Sequence, residues 1–144
     1  MTKNADSVMR PVLWIGAAFN FGAAAMVAFP DTVGSFSGLP GTGPLFYRWL
    51  LVLFVALFGG AYAWLALQPE ISRPLVALAA LGKTGVFIVS VVCWLLGDIP
   101  LQSLPPAVCD LAFALVFAWW LMATRDRVQN SRQTVAADAA SRRS

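Results

Sequence analysis

A chain of 144 residues with 59% hydrophobic and only 12% charged residues, and a mean hydropathy of +0.72, has too little polar surface for a water-soluble domain, which usually carries about 25% charge. Its formal net charge of +3 is no footprint of nucleic-acid binding, because most of the charges lie outside the apolar runs. Histidine is absent; this removes histidine-ligated haem, most catalytic metal sites and every Ser–His or Cys–His relay, and neither a metal nor a cofactor is expected.

The pattern predicts an all-α bundle of four transmembrane helices in up-down order, spanning about 12–29, 45–67, 75–96 and 104–123. Each run is close to the ~20 residues needed to cross a ~30 Å hydrocarbon core. Residues 1–11 are read as a cytoplasmic N-terminal segment. The first run is read as a span rather than a cleaved signal peptide, being long and followed by no soluble domain. A Gly/Pro/Ser-rich loop, 30–44, leads to the second helix, with Thr42 as a candidate N-cap. A tight turn, 68–73, leads to the third. A short connection, 97–103, leads to the fourth, with Ser103 before Leu104-Pro105-Pro106 as its candidate N-cap. From 124 the tail is expected to be disordered.

Two features test the four-span reading. All six tryptophans, Trp14, Trp49, Trp64, Trp94, Trp119 and Trp120, lie near run ends, where indole favours the headgroup level. Lys3, Arg10, Arg73, Arg125, Arg127, Arg132, Arg142 and Arg143 flank one side, whereas the first and third connections carry only Asp31 and Asp98. Positive charge resists translocation, so both termini are expected to be cytoplasmic, in a bacterial inner membrane.

One polar residue per helix interrupts the apolar runs: Asn20, Arg48, Lys83 and Asp110. A charge in hydrocarbon costs at least about 2.5–3.5 kcal/mol on insertion scales. Each of the four shares its helix face with small residues: Gly16, Ala17, Ala23 and Ala24 for Asn20; Val52, Ala56, Gly59, Gly60 and Ala63 for Arg48; Ala79 and Ala80 for Lys83; Ala107, Ala114 and Ala118 for Asp110. Small residues mark close helix–helix approach, so all four are expected to point into one polar interior. Counting rise per residue puts Lys83 about 4–5 Å to the cytoplasmic side of mid-span and Asp110 about 6 Å to the outer side. This pairs Asp110 with Arg48 and leaves Lys83 to Asn20, Thr84, Tyr62 or backbone carbonyls near Gly59-Gly60, with Ser90 a secondary candidate. Two meanings stand side by side. The four residues line a functional site, or they fix helix register while Arg48 snorkels to the headgroups. Cys93 and Cys109 sit at similar depth, but without a C-x-x-C pattern a disulfide or redox couple is not expected.

The segments Phe19-Asn20, FYRWL (46–50), FGGAYAWLA (58–66) and LGKTGVF (81–87) resemble those of small uncharacterised bacterial four-helix membrane proteins over residues 10–123, a likeness that implies a fold and no activity. Size and span number are also similar to the small multidrug resistance transporters, whose essential first-helix glutamate has no counterpart here. Two functions are expected: a transport or permeation component for a small solute or ion, acting as a homo-oligomer, or a non-catalytic accessory subunit bound to other membrane subunits. With only Asp110, Lys83 and Tyr62 able to do acid–base work, an enzyme is the least expected class.

Overall fold

The computed structural model describes residues 2–37 and 44–125. Thr42 and the tail from 126 lie outside the described residues. The described residues form four helices and no strands: α1 (Thr2–Ala28), α2 (Leu45–Leu67), α3 (Arg73–Leu95) and α4 (Leu104–Ala123), with short 3-10 turns at Val33–Ser37 and Leu101–Ser103. All four are long and apolar enough to cross a membrane, over Ala5–Ala28, Leu45–Leu67, Arg73–Leu95 and Leu101–Ala123. Large apolar side chains cover the outside; Leu81 is 70% exposed and Leu115 63%. Only a hydrocarbon solvent accommodates such a surface without cost.

α1 packs along α2, α3 along α4, and α1 against α4, whereas the consecutive α2 and α3 do not pack closely. Contacts advance along one helix as they retreat along the next. Arg10 reaches Ala66, Gly16 meets Tyr62, and Gly59 lies over Ala17 and Asn20. The small residues make this closeness feasible. Ala17, Ala24, Ala79, Ala107 and Ala114 are buried at the helix contacts, as the shared faces predict. The glycine pair of α2 divides, however: Gly59 is buried against α1, while Gly60, about 100° further round the helix, is exposed.

α1 begins ten residues before the expected span, with Pro11 inside it. Proline removes one helix hydrogen bond, and tertiary contacts hold the extension. Ala5 and Met9 are buried in the core with Leu65, Ile71, Val76 and Trp120, and the Trp120 indole N–H donates to Asp6 Oδ1 at 3.0 Å. Trp120 is therefore no member of the aromatic belt. It is 2% exposed, whereas Trp14, Trp49, Trp64, Trp94 and Trp119 are 38–55% exposed.

The flanking arginines have a structural task as well. Arg10 donates to the carbonyls of Ala66 (2.6 Å) and Pro69 (2.8 Å). Arg73 donates to Leu121 O (2.8 Å) and to the Thr124 hydroxyl. A basic residue on each of α1 and α3 thus satisfies orphan carbonyls at the C-terminal end of its neighbour, where the helix dipole favours positive charge.

Ser103 precedes α4 but makes no side-chain cap hydrogen bond, and its buried Oγ has no partner among the described residues. The cause is written in the next three residues. A capping oxygen accepts from the second or third backbone N–H of the helix, and those positions are Pro105 and Pro106, which have none.

Candidate functional site

The polar residues of three helices meet inside the bundle. Lys83, on the face of α3 that also carries Ala79, forms an ion pair with Asp110 of α4 and donates to Asn20 Oδ1 of α1 at 2.7 Å. All three are buried, with 5–6% of each residue exposed. The ammonium also lies 4.7 Å from the ring centre of Phe19, 5.2 Å from that of Phe113 and 5.8 Å from that of Tyr62. Ring faces attract a cation most strongly where water is absent. Tyr62 is itself held edge-on against Phe117, with centroids 5.8 Å apart.

The Lys83–Asp110 pair replaces the Asp110–Arg48 pair expected from depth. The expectation failed at the third connection. Gly97 has φ +80° and closes α3 in a Schellman turn, with Asp98 N donating to Cys93 O at 2.9 Å and Gly97 N to Trp94 O at 3.0 Å. The chain then turns back at once, and the 3-10 turn Leu101–Ser103 runs directly into α4. The fourth span is therefore Leu101–Ala123. Measured from that span and from Arg73–Leu95, Asp110 lies about 3 Å and Lys83 about 1.5 Å from mid-depth. Asn20 lies about 5 Å from the middle of Ala5–Ala28, and Arg48 about 12 Å from the middle of Leu45–Leu67.

Arg48 does not join the cluster. It is half-buried, and its Nε has no hydrogen-bond partner among the described residues. Thr84 turns its hydroxyl back to Ala80 O at 2.8 Å. Ser90 is half-buried and lies away from the cluster's cavity. Cys93 and Cys109 are free thiols, the second exposed. Phe19 and Phe113 are site residues the sequence reading passed over, although Phe113 stands one turn from Asp110 and so was within its helical reach.

The cluster closes the inner end of a cavity of about 260 Å³. Phe19, Asn20 and Ala23 of α1, five residues of α2 including Phe58 and Tyr62, Gly82, Lys83 and Val86 of α3, and Asp110 of α4 line it. Its mouth lies between α2 and α3, the two helices that do not pack closely. There the lining residues Leu51, Phe54 and Val86 are half exposed to the outside (50%, 53% and 50%). The cavity therefore joins the apolar flank of the bundle to a buried, internally neutralised charge pair. Among the described residues, no group of three or more His, Cys, Asp or Glu side chains is placed to hold a metal ion. No protein-family model, curated protein or solved structure matches the chain.

Proposed function

We propose that this chain is a small transport or permeation component for a small solute, acting through the Lys83–Asp110–Asn20 cluster. The carrying observation is the position of the cluster: a charge pair and an amide near mid-depth at the inner end of a cavity. Intramembrane ionic groups are costly, and they commonly mark substrate or ion pathways. In proteoliposomes, solute permeability and proton flux should exceed those of protein-free vesicles. Asp110→Asn, purified from the same folded fraction, should return them to the protein-free level. Equal rates for the two proteins would remove the basis of this reading.

The same proposal includes an up-down arrangement with both termini on the cytoplasmic side of a bacterial inner membrane, supported by the Lys and Arg distribution. In a variant lacking Cys93 and Cys109, a cysteine introduced at Gln102 should react with an impermeant maleimide from outside, and one at Ser72 only after permeabilisation. Labelling of the Ser72 site from outside would reverse the orientation.

A second reading is supported by the outer face of α2. Gly60 has none of the described residues within 4 Å of where a Cβ would stand, and it lies in a shallow groove with Ala56 and Ala61, flanked by Phe21 and Trp64. Small residues on a lipid-facing surface suit contact with another transmembrane helix, of a second copy or of a different subunit. A stoichiometric foreign protein retained in mild detergent would favour the accessory role.

A further inference from the structure

The cavity constrains what can enter it. Its walls are aromatic and aliphatic, and among the described residues that line it the polar ones are Asn20, Lys83, Asp110 and the hydroxyl-bearing Tyr62. The ammonium and carboxylate neutralise each other. A bare ion would therefore lose its hydration and meet no net opposite charge, which is unfavourable in a low-dielectric site. A neutral molecule does not carry that cost. The ammonium has three N–H donors, of which Asn20 and Asp110 take two, leaving one for an acceptor brought in by a ligand.

Size and access narrow the class further. A cavity of about 150 Å³ lined by Leu, Ile and Phe accommodates benzene, so about 260 Å³ suits a body of two fused rings. The mouth faces the flank that hydrocarbon surrounds, and Phe58 stands over Gly82 at its sill, 3.8 Å from where a Cβ would sit. A glycine there keeps the passage between α2 and α3 open.

We infer that the cavity is a binding site for a neutral, membrane-partitioned aromatic molecule with one hydrogen-bonding head, which enters laterally between α2 and α3 and sets its head on Lys83 and Asp110. This rests on the proposed transport role only in taking the same cluster as the functional centre, and it names the solute class.

The test is equilibrium dialysis of radiolabelled 2-naphthol against the full chain in phosphatidylcholine nanodiscs, with empty nanodiscs as the blank. Saturable one-site binding is expected. Naphthalene, which lacks the head, and 2-naphthoate, which is charged, should each bind at least about tenfold more weakly, the scale of one buried hydrogen bond. Gly82→Leu, which fills the sill and alters none of the cluster residues themselves, should weaken 2-naphthol about tenfold or more at unchanged helicity. Phe58→Ala, which widens the sill, should retain binding. Equal binding of naphthalene would mean apolar filling alone, tighter binding of naphthoate would mean an anion site, and absence of saturable binding would mean no site; each overturns the inference. Flux that depends on Asp110 without 2-naphthol binding would leave the transport role standing and sink only this ligand class. Binding without flux would do the reverse.

Discussion

Lys83→Met and Asp110→Asn are each expected to lower the thermal stability of the protein in detergent sharply, and the double variant to recover most of the loss. The two side chains are 6% and 9% exposed, so removing one partner leaves an uncompensated charge among Phe19, Tyr62 and Phe113. Breaking a buried pair in this way costs about 3–5 kcal/mol, whereas replacing both partners by well-packed hydrophobic residues of similar volume is often neutral, and the double variant likewise leaves no orphan charge. Thermal unfolding of the four proteins closes the cycle, and an interaction term near zero would mean that the pair contributes nothing beyond its separate surroundings. Arg48→Gln supplies the contrast. With Arg48 about 12 Å from mid-depth and outside the cluster, its effect should add to that of Asp110→Asn within about 0.3–0.5 kcal/mol. A strong coupling there would restore the partnership that depth alone suggested.

What the sequence disclosed about this cluster, and what it withheld, divides along physical lines. Membrane helices are set by local hydropathy, which is additive along the chain, so the bounds of α2 and α4 can be read directly. The faces of Asn20, Lys83 and Asp110 were equally legible, because small residues at helical spacing mark where backbones approach. Partner choice was not. It depends on relative axial position, and that was set by one Schellman turn at Gly97 and by a 3-10 turn that a hydropathy reading counts as loop. Starting the span three residues earlier moves its midpoint by one and a half residues, about 2 Å, which leaves Asp110 nearer in depth to Lys83 than to Arg48. Trp119 and Trp120 make the same point about rotation. Both are tryptophans at nearly one depth, yet they differ by about 100° around α4, and only packing decides that Trp120 is buried and meets Asp6 while Trp119 faces outward. The extension of α1 before Pro11 was invisible for a related reason. Its support comes from Trp120 and the C-terminal end of α2, more than fifty residues away in sequence.

Gly59→Leu is expected to destabilise the bundle by about 1–3 kcal/mol, the usual cost of overpacking, and to weaken the polar cluster with it. The adjacent change, Gly60→Leu, should lie within about 0.5 kcal/mol of wild type. The chemistry of the two substitutions is identical; the surroundings are not. A Cβ at Gly59 would stand 3.3 Å from Asn20 Cβ, 3.3 Å from Phe21 Cζ and 3.4 Å from the Ala17 carbonyl oxygen. The backbone oxygen and the Asn20 Cβ can give way only by moving α1 itself. A leucine side chain would therefore push α1 outward at the level of Asn20, whose amide must hold its 2.7 Å bond to Lys83. At Gly60 none of the described residues lies within 4 Å of the added atom, and leucine would replace the weakest helix former after proline with one of the best, worth about 1 kcal/mol in an exposed helix in water. Inside a membrane that gain is smaller, because backbone hydrogen bonds are obligatory there in any case. The expected readout is a lowered unfolding temperature for Gly59→Leu together with a reduced coupling energy between Lys83 and Asn20, measured with Asn20→Ala, Lys83→Met and their combination in both backgrounds. If both glycine variants lose stability equally, the outer face of α2 carries a helix contact of its own, and the second copy or foreign subunit suggested by the groove around Gly60 becomes the better account of that surface.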